Sequence, residues 1–370
     1  MLPQAPLWLV LVAFACAIAV LVFFHELGHY LVARLFGIPA EIFSIGFGHE
    51  LFGWTDRQGT RWKVAWLPLG GYVKFVGDMT PASNPAELDS IPEHLREKAF
   101  QLRPVWQRFL VVLAGPVANF VLAIVIFTGV FSLVSAPETN KIGRVETGKA
   151  ADSAGLQPGD RILSVAGRET PTFDEVRALV EPRPNQNVQV EVERNGKIQQ
   201  LPVKIGTDQL EDSNGQKVTI GLLGVSAAPV SVFRALPMAT EQTVRITGWV
   251  LKGAARLVVG EGSRKDVGGP IRIAQFAGEA ASLGVLPFVQ LLALLSINLG
   301  FINLLPVPLM DGGHLFFYGV EAIRRRPLSA RALEWAFRGG LAVILALVVF
   351  TTLNDLGSIG LWDRLQRLIG

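Results

Sequence analysis

The sequence predicts a polytopic α-helical membrane protein with four transmembrane helices, a membrane-associated β-hairpin and an inserted α+β domain. Three observations lead there. Half of the 370 residues are hydrophobic and only 18% are charged, against about 25% in an ordinary soluble domain. Three runs long enough to cross a bilayer carry no charged side chain. Between the second and third of these runs lies a domain-sized polar stretch with short alternating segments. A mean hydropathy of +0.39 leaves an apolar surplus that must face something other than water, so the lipid bilayer is an expected partner. The 34 basic and 31 acidic residues are interspersed and form no basic stripe with aromatics, so no nucleic-acid partner is expected. The single cysteine, Cys16, allows no intramolecular disulfide.

The expected order is an N-terminal membrane part (1–137), an extracytoplasmic domain (138–225), interfacial linker helices (226–279) and a C-terminal membrane part (280–370). The uncharged runs are 1–24, 109–137 and 280–310, each above the roughly 18–20 residues that a spanning helix needs. A fourth run, 339–354, has only 16 residues between Arg338 and Asp355 and spans if Arg338 snorkels. The first run has no basic amino-terminal region and no small-residue cleavage site, so it reads as a retained helix rather than a signal peptide. Nine basic residues lie from Arg34 to Arg108 and five from Arg324 to Arg338, which puts those segments in the cytoplasm and both termini outside. Arg364 and Arg367 strain that scheme unless the tail lies along the interface.

Residues 63–75 (KVAWLPLGGYVKF) alternate in part and hold a Gly-Gly pair, which reads as a β-hairpin on the cytoplasmic side. Such a strand could lie at membrane depth only where protein or a wet cavity covers it. Residues 141–205 read as a compact α+β module with an Asn-Gly hairpin turn at 195–196. Its run AGLQPGDRILSVAG (154–167) is similar to the hallmark of bacterial PDZ domains, which bind extended peptides at a sheet edge, so extracytoplasmic peptide segments are candidate partners. Residues 233–259 mix apolar side chains with Lys252 and Arg256, as either an interfacial helix or a core-packing one would.

The chemistry-bearing motif stands at the end of the first span: His25-Glu26-Leu27-Gly28-His29. Residues i and i+4 share a helical face, so the two imidazoles can hold one Zn²⁺ while Glu26 serves as general base. His49-Glu50 begins the same pattern, but Gly53 replaces the second histidine. Polar groups within a span are costly without a function. A catalytic zinc takes three protein ligands and keeps one position open. Asp311, directly after the third run, is the expected third ligand, with His314 second in rank. Spans one and three run in the same direction, so the two motifs meet near the cytoplasmic side. Pro306 and Pro308 should interrupt the third helix just before Asp311.

HELGH, GGYVKF (70–75), AGPVANF (114–120), the PDZ-like insert and NLLPVPLMDGG (303–313) occur in one order along nearly the whole chain. In this the sequence resembles the site-2 protease family, on the branch of the bacterial regulator of sigma E protease. The resemblance implies a zinc metalloprotease of the bacterial inner membrane that cuts single-span membrane proteins within the bilayer, such as anti-sigma factors, and remnant signal peptides. It implies one zinc per chain on His25, His29 and Asp311, and Glu26 as catalytic base. It further implies that the hairpin containing Gly70, Gly71, Tyr72 and Val73 re-enters the membrane and pairs with substrate, and that Asn303 helps hold it. The chain departs from that pattern in having one PDZ-like module rather than two, and Met310 where leucine is usual. Two other classes compete: a catalytically silent PDZ-containing scaffold with a structural metal, and a transporter. A structural zinc usually has four closed ligands, and the sequence lacks the internal repeat expected of a transporter.

Overall fold

The computed structural model describes residues 5–77, 93–136, 139–211, 217–261 and 268–358. Arg364 and Arg367 lie outside them, as do residues 1–4 of the first run. The chain divides into two compact units, 1–123 with 243–370, and 124–242. Four described helices are long and apolar enough to cross a membrane, and the chain is a multi-pass membrane protein.

In the first unit, helix α1 (Leu7–Leu35) is a nearly unbroken run of aliphatic and aromatic residues. It ends where Gly37 turns left-handed at φ 69°, letting the Ile38 N–H reach back to the Ala33 carbonyl. Strands β1 (Ala40–Thr55) and β2 (Arg61–Phe75) then pair antiparallel. The short helix α2 (Glu93–Arg96) leads to α3 (Val105–Leu133), which continues into the second unit.

The two strands bend sharply. Residues 42–45 pair both with 71–74 and with 61–64, in opposite directions, so the chain reverses within 63–75 as expected, and a further turn lies at 56–60. Asp56 makes that turn: its Oδ1 accepts the N–H groups of Gln58 and Thr60, while Gly59 takes the positive φ of 88°. Asp56 Oδ2 accepts from Trp62 Nε1 at 3.0 Å and Tyr30 Oη at 3.3 Å, tying the turn to α1. Phe43 stacks on Trp62 at 4.2 Å, so aromatic packing fixes the strands where alternation was only partial. Gly70, at φ 137°, and Gly71 open the returning segment. A Cβ on Gly71 would overlap the Ser44 carbonyl and Val22, so glycine there lets β2 lie against α1. The His49-Glu50 decoy falls on β1 and holds no metal-like cluster among the described residues.

The second unit opens with β3 (Ile142–Val145), α4 (Ala150–Ser153), β4 (Arg161–Val165) and β5 (Arg168–Glu169). Helix α5 (Phe173–Val180) follows, with a reciprocal cap between Thr172 and Glu175. Strands β6 (Asn187–Arg194) and β7 (Lys197–Lys204) are joined by Asn195-Gly196, both at positive φ as a two-residue hairpin requires. Then come β8 (Gly206–Glu211), β9 (Lys217–Leu222) and β10 (Val225–Ala227). The four-stranded sheet has the order β5-β4-β6-β7, and Ile162, Val165, Val190, Val192 and Ile205 make its core with α5.

Helix α6 (Val232–Val259) begins in this unit and ends in the first, which α7 (Pro270–Ser282), α8 (Val285–Leu304), α9 (Asp311–Arg324) and α10 (Ala330–Ser358) complete. The fourth span is longer than its 16 uncharged residues suggested, because α10 runs through both Arg338 and Asp355. Asp355 is buried and accepts the N–H groups of Gly269, Ile271 and Arg272, capping α7. Helix α7 in turn packs on α1, with Gly278 against Val10.

Asp160 is 1% exposed and is gripped by Arg194, Nε to Oδ1 and Nη2 to Oδ2 both at 2.7 Å. Burial alone would raise its pKa, but the Arg194 bonds and the Gln157 N–H outweigh it and hold the carboxyl below its usual value. The resulting stabilisation is complete above the unfolded carboxylate pKa of about 3.9 and is lost as pH falls through the lowered folded value. Protection of the Gln157 amide, taken relative to its intrinsic exchange rate at each pH, should therefore fall below about pH 4 in the full-length protein. Asp160→Asn should remove that acid dependence and cost about 3 kcal/mol by leaving Arg194 unpaired.

Candidate metal centre

Three side chains from distant parts of the first unit converge: His25 and His29 of α1 and Asp311 at the first turn of α9. His25 Nε2 lies 3.2 Å from Asp311 Oδ2, His29 Nε2 lies 3.5 Å from the same oxygen, and the two Nε2 atoms are 3.3 Å apart. A tetrahedral zinc with bonds of about 2.0–2.2 Å sets its donors about 3.3–3.6 Å apart, so the triangle has the size of one face of that tetrahedron. Asp311 Oδ2 is buried with only the two imidazole Nε2 atoms facing it, a convergence of three donor atoms that a cation would satisfy. The donor set thus fits zinc and leaves a fourth position open.

Small residues bring the helices close enough. A Cβ on Gly28 would overlap the Ala114 carbonyl and the Ala118 side chain, so α1 and α3 touch through backbone at this level. A Cβ on Gly115 would fall on the His29 ring, and a Cβ on Gly300 would meet Pro116, Asn119 and Phe120, bringing α8 against α3. His29 Nδ1 donates to the Val111 carbonyl at 2.9 Å, which leaves its Nε2 lone pair free for metal. His25 Nδ1 stands 3.0 Å from the side-chain amide of Asn119.

Asp311 reaches the site because the third span breaks where the prolines predicted. Helix α8 stops at Leu304 and α9 restarts at Asp311. Between them Leu309 takes φ 82°, a costly backbone state for a non-glycine residue. Gly312 lies against the carbonyls of Leu304 and Leu305, and Gly313 against Val307 and Pro308, where no Cβ would fit. Asp311 also places its negative charge on the helix N-terminus, which favours it. Farther along α9, Arg108 of α3 bonds Glu321 at 2.8 Å and lies over the Tyr318 ring at 4.9 Å, bracing the helix.

A cavity of about 300 Å³ adjoins the cluster, and Glu26, Tyr72, Val73 and Asn303 all line it. The Val73 backbone N–H is within hydrogen-bonding reach of the Glu26 carboxylate. Gly71 approaches the Glu26 side chain, but Gly70 faces the Phe47 ring and does not line the cavity. His314 lines it too, yet its ring sits by Phe337 at 5.4 Å and it is outside the three-ligand cluster. Sequence reasoning did not single out Val111, Gly115 or Asn119 for roles at the metal. The signal for Asn119 was a carboxamide in the middle of an otherwise apolar span.

Comparison with known proteins agrees with this centre. The pattern of peptidase family M50 matches residues 13–347. A protein of Agrobacterium fabrum, provisionally named a zinc metalloprotease, is 43% identical over 361 residues, covering 94% of this chain and 96% of its own. One from Brucella suis with a name of the same kind is 41% identical, covering 94% of each chain. The metalloprotease MmpA of Caulobacter vibrioides is 36% identical over 380 residues, covering 94% of this chain and 95% of its own.

Purified full-length protein should hold one zinc per chain, and Asp311→Ala should lose it or bind it at least about tenfold more weakly in chelator competition. Gly115→Ala should weaken zinc similarly by displacing His29, and should cost about 1–3 kcal/mol through overpacking of α1 on α3.

Proposed function

The chain belongs to peptidase family M50 and is a zinc metalloprotease, and from that premise we propose that it hydrolyses peptide bonds inside membrane-spanning segments. The observation that carries this reading is where the site is built. His25, Glu26 and His29 belong to an apolar 29-residue helix, and Asp311 follows the break after another candidate span that ends at Leu304. A protease assembled there takes substrate from the bilayer rather than from water.

Zinc, when bound, supplies Lewis acidity to a water and to the scissile carbonyl. His25, His29 and Asp311 would hold it, and the adjoining cavity leaves room for substrate beside them. Glu26 accepts the proton of the attacking water and returns it to the leaving amine. The Val73 N–H, within reach of Glu26, keeps that carboxylate turned toward the cavity. A transmembrane helix hides its carbonyls in i to i−4 hydrogen bonds, so substrate must unwind before attack. Strand β2 has β1 as its one partner among the described strands, so Gly71, Tyr72 and Val73 can offer backbone groups to an unwound segment beside Glu26. Asn303, on the cavity wall, is suited to bonding the same segment.

The substrates of this reading are single-span membrane proteins of the anti-sigma-factor type and remnant signal peptides. The second unit, as a PDZ-like module, would engage extracytoplasmic peptide segments and control which substrates enter. The compartment is the bacterial inner membrane, with the catalytic centre toward the cytoplasm, as the basic residues flanking the spans indicate. Helix α6 leaves Phe233, Trp249 and Leu251 exposed, which suits contact with the interface. The silent-scaffold alternative is disfavoured because, among the described residues, the cluster has three ligands rather than four.

In proteoliposomes with a single-span substrate, Glu26→Gln should reduce cleavage by at least about 10²-fold while zinc content stays at one per chain. A scaffold would be indifferent to that change. Val73→Pro, which deletes the N–H facing Glu26, should slow cleavage about tenfold or more with zinc retained. A proline or glycine placed within the substrate span should speed cleavage; no effect from either would remove the strand-pairing step from the scheme.

A further inference from the structure

Helix α9 has two faces. Asp311, His314 and Tyr318 line the cavity beside the metal centre, whereas Phe316 and Ile323 stand exposed, Ile323 to 85%. At 14 residues the helix is about 21 Å long, too short to cross a bilayer. A short helix with an apolar outer face, in a multi-pass protein, belongs at the membrane boundary. Three consecutive arginines close it. Arg324 is its last residue, and Arg325 takes the left-handed position, at φ 53°, that glycine usually fills at a helix end. Positive charge is thus kept where the backbone favours glycine. Arg326 and, in the first turn of α10, Arg331 follow, and all four are exposed.

Nothing in the protein neutralises them. The acidic residues between Asp311 and Asp355 are Glu321 and Glu334, and these are taken by Arg108 and Arg338. Among the described residues Arg324, Arg325, Arg326 and Arg331 have no acidic partner. Trp335 is 71% exposed beside them, with the Arg338 guanidinium over its ring at 5.7 Å. Tryptophan and arginine together at the end of a long apolar helix mark the depth of phospholipid headgroups. We propose that the loop from Arg324 to Arg331 binds the phosphate of acidic phospholipids such as phosphatidylglycerol, with Ile323 and Trp335 set among their acyl chains. A soluble acidic partner would meet the same charge but would leave both apolar side chains in water. The arginines also orient the chain during insertion, but that role ends once the helices are in place and leaves the charge to be matched. The inference depends on the chain being a membrane protein and not on its cutting peptide bonds.

The test uses full-length protein carrying Cys16→Ser and Ala322→Cys, with a fluorophore on the new thiol. It is reconstituted in phosphatidylcholine vesicles with roughly 20% phosphatidylglycerol, an acidic share that basic clusters detect. With only the phosphatidylglycerol brominated, quenching should exceed that expected from its share of the lipid by about threefold or more. Arg324→Gln, Arg325→Gln, Arg326→Gln and Arg331→Gln together should bring quenching down to that share, whereas the corresponding four lysine substitutions, which keep the charge and the chain's orientation, should retain most of the excess. Quenching at the bulk share in the labelled protein with its arginines intact overturns the proposal without any arginine variant. An excess unchanged by glutamine, or lost equally with lysine, overturns it too. Inorganic phosphate at constant ionic strength should leave the excess in place; if it removes the excess, the loop holds soluble phosphate rather than lipid and the proposal fails.

Discussion

The close approach of α1 to α3 is the constraint from which the rest of the centre follows. Lipid gives two apolar helices no hydrophobic reason to associate, so their contact depends on van der Waals fit and on hydrogen bonds made where water is absent. Gly28 supplies the fit by lying on the backbone of Ala114, and Gly115 supplies it again by leaving room for the His29 ring. Only at that separation can the Val111 carbonyl take the Nδ1 proton of His29 and the Asn119 amide meet His25. The imidazoles are therefore oriented by a neighbouring helix, and their two free nitrogens face one point.

The second requirement is a carboxylate at the same depth, which a continuous α8 could not deliver. Breaking the helix at 305–310 lets the chain turn and restart with Asp311 on the new N-terminus. The break carries its own cost in the positive φ of Leu309, and the contacts of Gly312 and Gly313 with the freed carbonyl region hold it in place. Arg108 braces the far part of α9 through Glu321 and Tyr318, and it stands on α3 one turn before Val111. One helix thus orients the histidines and secures the element that brings the aspartate.

Much of this was legible because certain residue types have few physical alternatives in a bilayer. The i, i+4 histidines with Glu26, the paired prolines before Asp311 and the Asn-Gly turn of the second unit each announce local geometry, and the structure has that geometry. The hairpin within 63–75 was legible, but the additional turn at 56–60 was not, because Asp56 and the Tyr30, Phe43 and Trp62 rings that hold it meet only in three dimensions. The fourth span looked short because Asp355 reads as an end of the apolar run, whereas it caps α7, 86 residues earlier in the chain.

By itself the sequence determined the multi-pass character, the ligand types and the helix break, since apolar length, helical periodicity and proline's missing N–H are properties of the chain alone. Tertiary structure alone decided which group faces the Nδ1 of each histidine and how far apart the donors stand. Those depend on atoms brought together across 82 to 94 residues of chain, as in the His29–Val111 and His25–Asn119 contacts. A hydrogen bond is satisfied or lost over a few tenths of an ångström, a distance that only packing sets.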